Sequence, residues 1–169
     1  MVFNKKISYI LILLIGLVSC RYSFTGASVP PHLRTIAIPT FNDRSGSGEP
    51  DLSNKLTNQL IQKFINDNTL QVTDRMNSDC IIEGTVTSLS EAPAVISGNE
   101  TITAQRITIN VHVVYRDLIK RQIIFERDFS NYTDYKMDAK DIINARKSAI
   151  EETIDKITED ILIGVVSNW

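Results

Sequence analysis

The sequence predicts an α+β fold: a two-layer sandwich with a mixed or mostly antiparallel sheet of about four to five strands and two helices on one face. Three observations predict it. Residues 51–68 place Leu52, Leu56, Leu60 and Phe64, with Ile61 and Ile65 alongside, in one apolar stripe at helical spacing. Residues 105–116 instead alternate: Ile107, Ile109, Val111, Val113 and Tyr115 interleave with Arg106, Thr108, Asn110 and His112. That is a strand with one face covered and one face polar. Residues 138–167 return to helical spacing through Ile142, Ala145, Ala149, Ile150, Thr153, Ile154, Ile157, Ile161 and Val165.

The elements follow in order. Before them, Lys5-Lys6 precede an apolar run from Ile7 to Val18, then Ser19 and Cys20. The run is too short to cross a bilayer comfortably and reads as an export signal. Leu17-Val18-Ser19-Cys20 resembles the lipobox of bacterial lipoproteins, in which the cysteine thiol carries diacylglycerol and becomes the mature first residue. Residues 1–19 are therefore expected to be a signal peptide that is removed, residues 20–34 a lipidated leader, and residues 35–169 a single α+β domain. The covalent lipid on Cys20 anchors the chain to a membrane, and two or more acyl chains hold far better than one.

Within the domain, residues 35–41 (TIAIPTF) read as a strand that Pro39 would suit better at an edge than at a centre. Residues 42–50 are a Gly/Ser loop. The first helix is expected over 51–68, with Asp51 as cap or first-turn acid and Asn66-Asp67-Asn68 as stop. Residues 70–73 form a short strand and 80–89 a longer one, interrupted at Gly84 by a bulge or a close approach. Residues 105–116 and 121–133, joined by a turn at 117–120, form a hairpin in which Ile123, Phe125 and Phe129 continue the inner face. The closing helix spans 138–167, with Asp138 and Asp141 in a capping arrangement and acids interleaved with Lys147 and Lys156 outside.

Composition narrows the function. The chain has 169 residues, and the 150 left after Cys20 becomes the first residue carry 16 basic against 20 acidic side chains. A net charge of about −4 argues against nucleic-acid binding. Cys80 has no partner once Cys20 carries lipid, and reads as a small buried hydrophobe. The two histidines, His32 and His112, sit in no metal-binding spacing, and no nucleophile motif or phosphate-cradling loop is present. No catalytic residue, metal or cofactor is expected. The feature that stands out is a basic sheet face: Arg106 and Arg116 project with Thr108, Asn110 and His112, and Lys120-Arg121 cap the hairpin. Guanidinium forks suit phosphate oxygens.

A family resemblance adds to this reading. Cys20 followed by Tyr22-Ser23-Phe24, Gly26, Pro30-Pro31 and a strand ending in Pro39-x-Phe41-Asn42 resembles the opening of the LptE-like lipopolysaccharide-assembly lipoproteins of Bacteroidota type. Leu56-Thr57-x-x-Leu60, Glu83-Gly84-Thr85-Val86, Arg106-Ile107-x-Ile109 and Phe129-x-x-Tyr132 agree in order along the mature chain. The resemblance implies an outer-membrane lipoprotein facing the periplasm. It implies partnership with the large β-barrel LptD as plug and assembly subunit, and binding of lipopolysaccharide. Only Cys20 transfers residue by residue. Arg106, Arg116, Lys120 and Arg121 are named as lipopolysaccharide contacts from the charge pattern alone. Arg21 after the cysteine is compatible with transfer to the outer membrane, and residues 21–24 lack the acidic cluster of surface-exported lipoproteins. The alternative is a lipoprotein that builds a secretion channel or activates a cell-wall synthase, whose opening strand Ile36-Ala37-Ile38-Pro39-x-Phe41-Asn42 also resembles.

Overall fold

A computed structural model describes residues 29–94, 104–137 and 140–167. The order is β1 (Thr35–Ala37), β2 (Asn42–Asp43), α1 (Leu52–Asp67), β3 (Gln71–Val72), β4 (Cys80–Pro93), β5 (Ala104–Asp117), β6 (Gln122–Lys136) and α2 (Ile142–Val166), with a single 3₁₀ turn at Arg75–Asn77 before β4. The sheet runs β3-β1-β4-β5-β6, with β2 also on β4. Pairings among β1, β2, β3 and β4 are parallel; β4-β5-β6 is an antiparallel meander. The α+β sandwich and the mixed sheet are as expected, with six strands instead of four to five.

The extra strand comes from the first segment. Pairing stops at Ala37, before Pro39 with its missing N–H, and resumes at Asn42 on β4. β1 lies inside the sheet between β3 and β4, so Pro39 is accommodated by ending the strand and not by an edge position. The loop expected from residue 42 thus begins with two paired residues.

α1 buries Leu52, Leu56, Leu60 and Phe64 of the predicted stripe together with Thr57, with Ile61 partly buried, whereas Ile65, expected alongside them, lies at the edge of the stripe and is 52% exposed. Asp51 stands at its N-cap with φ 55 and makes no side-chain capping bond, contrary to expectation. Asn68 ends the helix in the left-handed region (φ 58), its N–H donating to Phe64 O, a conformation asparagine tolerates. α2 starts at Ile142, and Asp141 caps it by accepting from the Asn144 N–H. Asp138 lies outside the described residues. Ile142, expected on the inner face, is 39% exposed because it sits in the first turn, whereas Ala149, Ile150, Ile154, Ile157, Ile161 and Val165 are buried.

β5 realises its alternation in full: Ile107, Ile109, Val111, Val113 and Tyr115 are buried and belong to the core that both helices cover. Gly84 is a close approach. Its α-carbon lies beneath the Phe41 ring, where a Cβ would collide with the ring carbons. The bulge in β4 falls three residues later, between Val86 and Ser88. A second irregularity lies in the hairpin, where Tyr115 pairs with Phe125 but Arg116 pairs with Ile123, leaving Ile124 as the extra residue. One added residue reverses the facing of everything before it. Ile123 therefore points outward at 52% exposure, correcting its expected place on the inner face. Cys80 is fully buried, as expected, and burial pushes its thiol up to about 11.

Candidate functional site

The predicted basic face divides into two regions with different chemistry. Arg106 stands near the start of β5, and its guanidinium grips Asp134 of β6 through two bonds of 2.7 and 2.9 Å. It also stacks over the Tyr132 ring at 3.9 Å. The Asp134 bond holds the Arg106 charge more firmly and Asp134 below the usual carboxylate range. Midway along β5, His112 lies between Asp128 (2.8 Å from Nδ1) and Glu126 (3.2 Å from Nε2). The hydrogen bond to Asp128 is the main reason its pKa is raised. The outer face is thus a set of cross-strand charge pairs.

The other region is the β5–β6 turn. Arg116 faces Glu83 across the strands at 3.6 Å, and Arg75 approaches the same carboxylate at 3.6 Å. Among the described residues Lys120 and Arg121 form no ion pair. Arg121 has φ 55, a left-handed conformation that glycine would adopt without strain. Arg116 and Arg121 line a shallow depression of about 230 Å³ with Asp117, Leu118, Gln122 and Ile123. Arg106 lies ten residues along the strand, about 33 Å away at 3.3 Å per residue. The structure brings Arg116, Lys120 and Arg121 to one end of the domain and leaves Arg106 at the other.

Asp117 organises that end. It is 2% exposed, accepts from the Lys120 N–H at 2.7 Å and bonds His32 Nε2 at 2.7 Å. Burial raises its pKa, but the bond to His32 and the backbone N–H bonds outweigh it and hold the carboxyl below its ordinary value. Through His32, the segment leading from the N-terminus is fastened to the base of the hairpin. Sequence reasoning missed this link, because a histidine after Pro30-Pro31 and an aspartate in a turn carry no mutual signal. It also missed that Ile119 and Ile123 are exposed, 55% and 52%, beside the basic residues. The Ile123-Ile124 doublet, which breaks the two-residue alternation, was the available sign.

No group of three or more metal-ligating side chains occurs among the described residues. No described helix is long and apolar enough to cross a membrane.

Across both layers the chain matches the family model LptE, described as lipopolysaccharide-assembly, over residues 33–163. The chain belongs to the LptE family. The match runs from the residue after His32 through nearly all of α2, so the LptE-type unit includes every described strand and both helices. No curated protein matches the sequence. Among solved structures, the chain is similar to the rare lipoprotein B of Shewanella oneidensis, with TM-score 0.53, 12% identity, and coverage of 77% of this chain and 92% of that one. It is similar to a minor lipoprotein of Acinetobacter baumannii, with TM-score 0.51, 15% identity, and coverage of 80% and 92%. It is similar also to PelC of Paraburkholderia phytofirmans, crystallised as a dodecamer, with TM-score 0.55, 9% identity, and coverage of 84% and 95%. At these identities the likeness is one of fold. The short motifs that resemble the LptE family meet in space: Phe41 donates its N–H to Thr57 Oγ1 at 3.0 Å while its ring covers Gly84.

Proposed function

We propose that this LptE-family chain is a lipoprotein anchored through Cys20 in the outer membrane, facing the periplasm. There it serves as plug and assembly subunit for an LptD-like β-barrel and binds lipopolysaccharide on its way to the cell surface. The observation that carries the reading is the family match over the whole α+β unit, joined to a lipobox at Leu17–Cys20. The fold supports a binding role. Its core lies between two helices and one sheet face, and the opposite face carries cross-strand charge pairs. Such a face suits a polar partner wall that does not require a catalytic group.

Of the residues expected to contact lipopolysaccharide, Lys120 and Arg121 form no ion pair among the described residues and Arg116 faces Glu83 at 3.6 Å. Arg106 is engaged by Asp134 and Tyr132. Depleting the protein and labelling lipopolysaccharide at the cell surface tests the reading. Loss of surface lipopolysaccharide with retention inside the envelope is the expected result, and unchanged surface display would refute it.

A further inference from the structure

We propose that the β5–β6 turn is a membrane-contacting tip, docking on an anionic phospholipid bilayer beside the lipid anchor; this rests on the lipoprotein reading above. The tip presents two exposed aliphatic side chains, Ile119 and Ile123, on either side of the adjacent cations Lys120 and Arg121. Isolated exposed isoleucines are ordinary, but here both flank the two cations that no described acid neutralises. Aliphatic tips entering the headgroup zone with cations at phosphate level is the pattern of interfacial binding. The depression beside the turn is open to solvent and does not enclose a ligand.

The position of the chain's entry selects the occupant. The bond from His32 to Asp117 fixes the incoming segment at the base of this same hairpin. Eleven residues separate Cys20 from His32, a covalent reach of at most about 40 Å. A lipidated Cys20 therefore keeps the tip close to the bilayer, where a weak contact is multiplied by effective concentration. Ile143, 78% exposed at the start of α2, has Arg146 and Lys147 nearby on its helix, both paired with acids (Glu49, Glu91 and Glu151), and lies by the far end of the hairpin strands.

The test uses the full lipidated chain in phosphatidylglycerol/phosphatidylethanolamine vesicles, carrying Ile119→Cys labelled with a polarity-sensitive fluorophore. Cys80 is buried and Cys20 is blocked by lipid, so the label is selective. An equivalent label at Ile143→Cys is the reference. The expected result is a blue-shifted signal at 119, quenched several-fold more than at 143 by headgroup-depth quenchers. Adding Lys120→Glu and Arg121→Glu should abolish the shift while the chain still floats with the vesicles. A chain that floats with position 119 as wet as 143 overturns the proposal alone. A response only when lipopolysaccharide is added also overturns it, assigning the tip to that glycolipid. A chain that does not float overturns the anchor and, with it, the tip.

Discussion

The ring of Phe41 occupies the side-chain space that Gly84 leaves vacant, and its backbone N–H is held by Thr57. Three segments, the connection between β1 and β2, the first helix and β4, are locked together at this one ring. Thr57 completes the junction by donating its own hydroxyl to Ser53 O at 2.7 Å. Gly84→Ala should therefore cost about 1–3 kcal/mol or more, since the ring has no free space to retreat into. Phe41→Ala should cost about 3–5 kcal/mol. In the double variant the two losses should be strongly non-additive, because the alanine methyl then occupies room the ring has left. Denaturant melts of the four proteins read this coupling directly.

The inner face of β6 carries an arginine among aromatics. Arg127 lies 4.3 Å from the Phe125 ring centre and 5.0 Å from that of Phe129, and donates from Nη2 to Gly164 O at 3.3 Å. Its buried Nε has no hydrogen-bond partner. A Cβ on Gly164 would stand 2.7 Å from Nη2 and 3.2 Å from the Phe129 ring. Gly164→Ala should destabilise by about 1–3 kcal/mol. Arg127→Met, which keeps the volume and removes the unsatisfied nitrogen, should change stability by less than about 1 kcal/mol in either direction. Thermal unfolding of both variants separates packing from charge.

Asp117 gives the hairpin base a sensitivity to acid. Its folded pKa is depressed, so the stability it contributes is present above the unfolded value near 3.8 and is lost as pH falls through the folded one. Asp117→Asn should lower stability at neutral pH and flatten the acid limb of the stability profile. The part of the limb that remains belongs to Asp74, Asp79, Asp134 and Asp155, which are also depressed.

His112 acts in the opposite sense. Its folded pKa is raised above 6.5, so its contribution is fully present below that value and fades as pH rises through the folded pKa. Proton NMR should place the His112 midpoint above 6.5, and Asp128→Asn should lower it. A midpoint that does not move would mean that the 2.8 Å bond to Asp128 does not form in solution.

Periodicity made most of this fold legible. The buried residues of β5 and the stripe of α1 are those that spacing selects, because a regular element against one core must repeat its apolar positions. What periodicity hides is any local change of count. The extra residue at Ile124 turned Ile123 outward, and the early end of β1 at Ala37 let a strand followed by Pro39 lie inside the sheet. The candidate site was half legible. Charge type located Arg116, Lys120 and Arg121, but the pairing of Arg106 with Asp134 and of His32 with Asp117 depends on strand register and chain path, which no single segment encodes. Cys20 lies outside the described residues, and its role rests on sequence.

The most direct test of the account is to isolate the tagged, lipidated protein from detergent-solubilised outer membranes and identify what remains bound. The account predicts recovery in stoichiometric complex with a large β-barrel and with lipopolysaccharide. Replacing Cys20 by alanine should move the protein out of the membrane fraction. Recovery as a homo-oligomeric ring, or with a peptidoglycan synthase and no barrel, would contradict it.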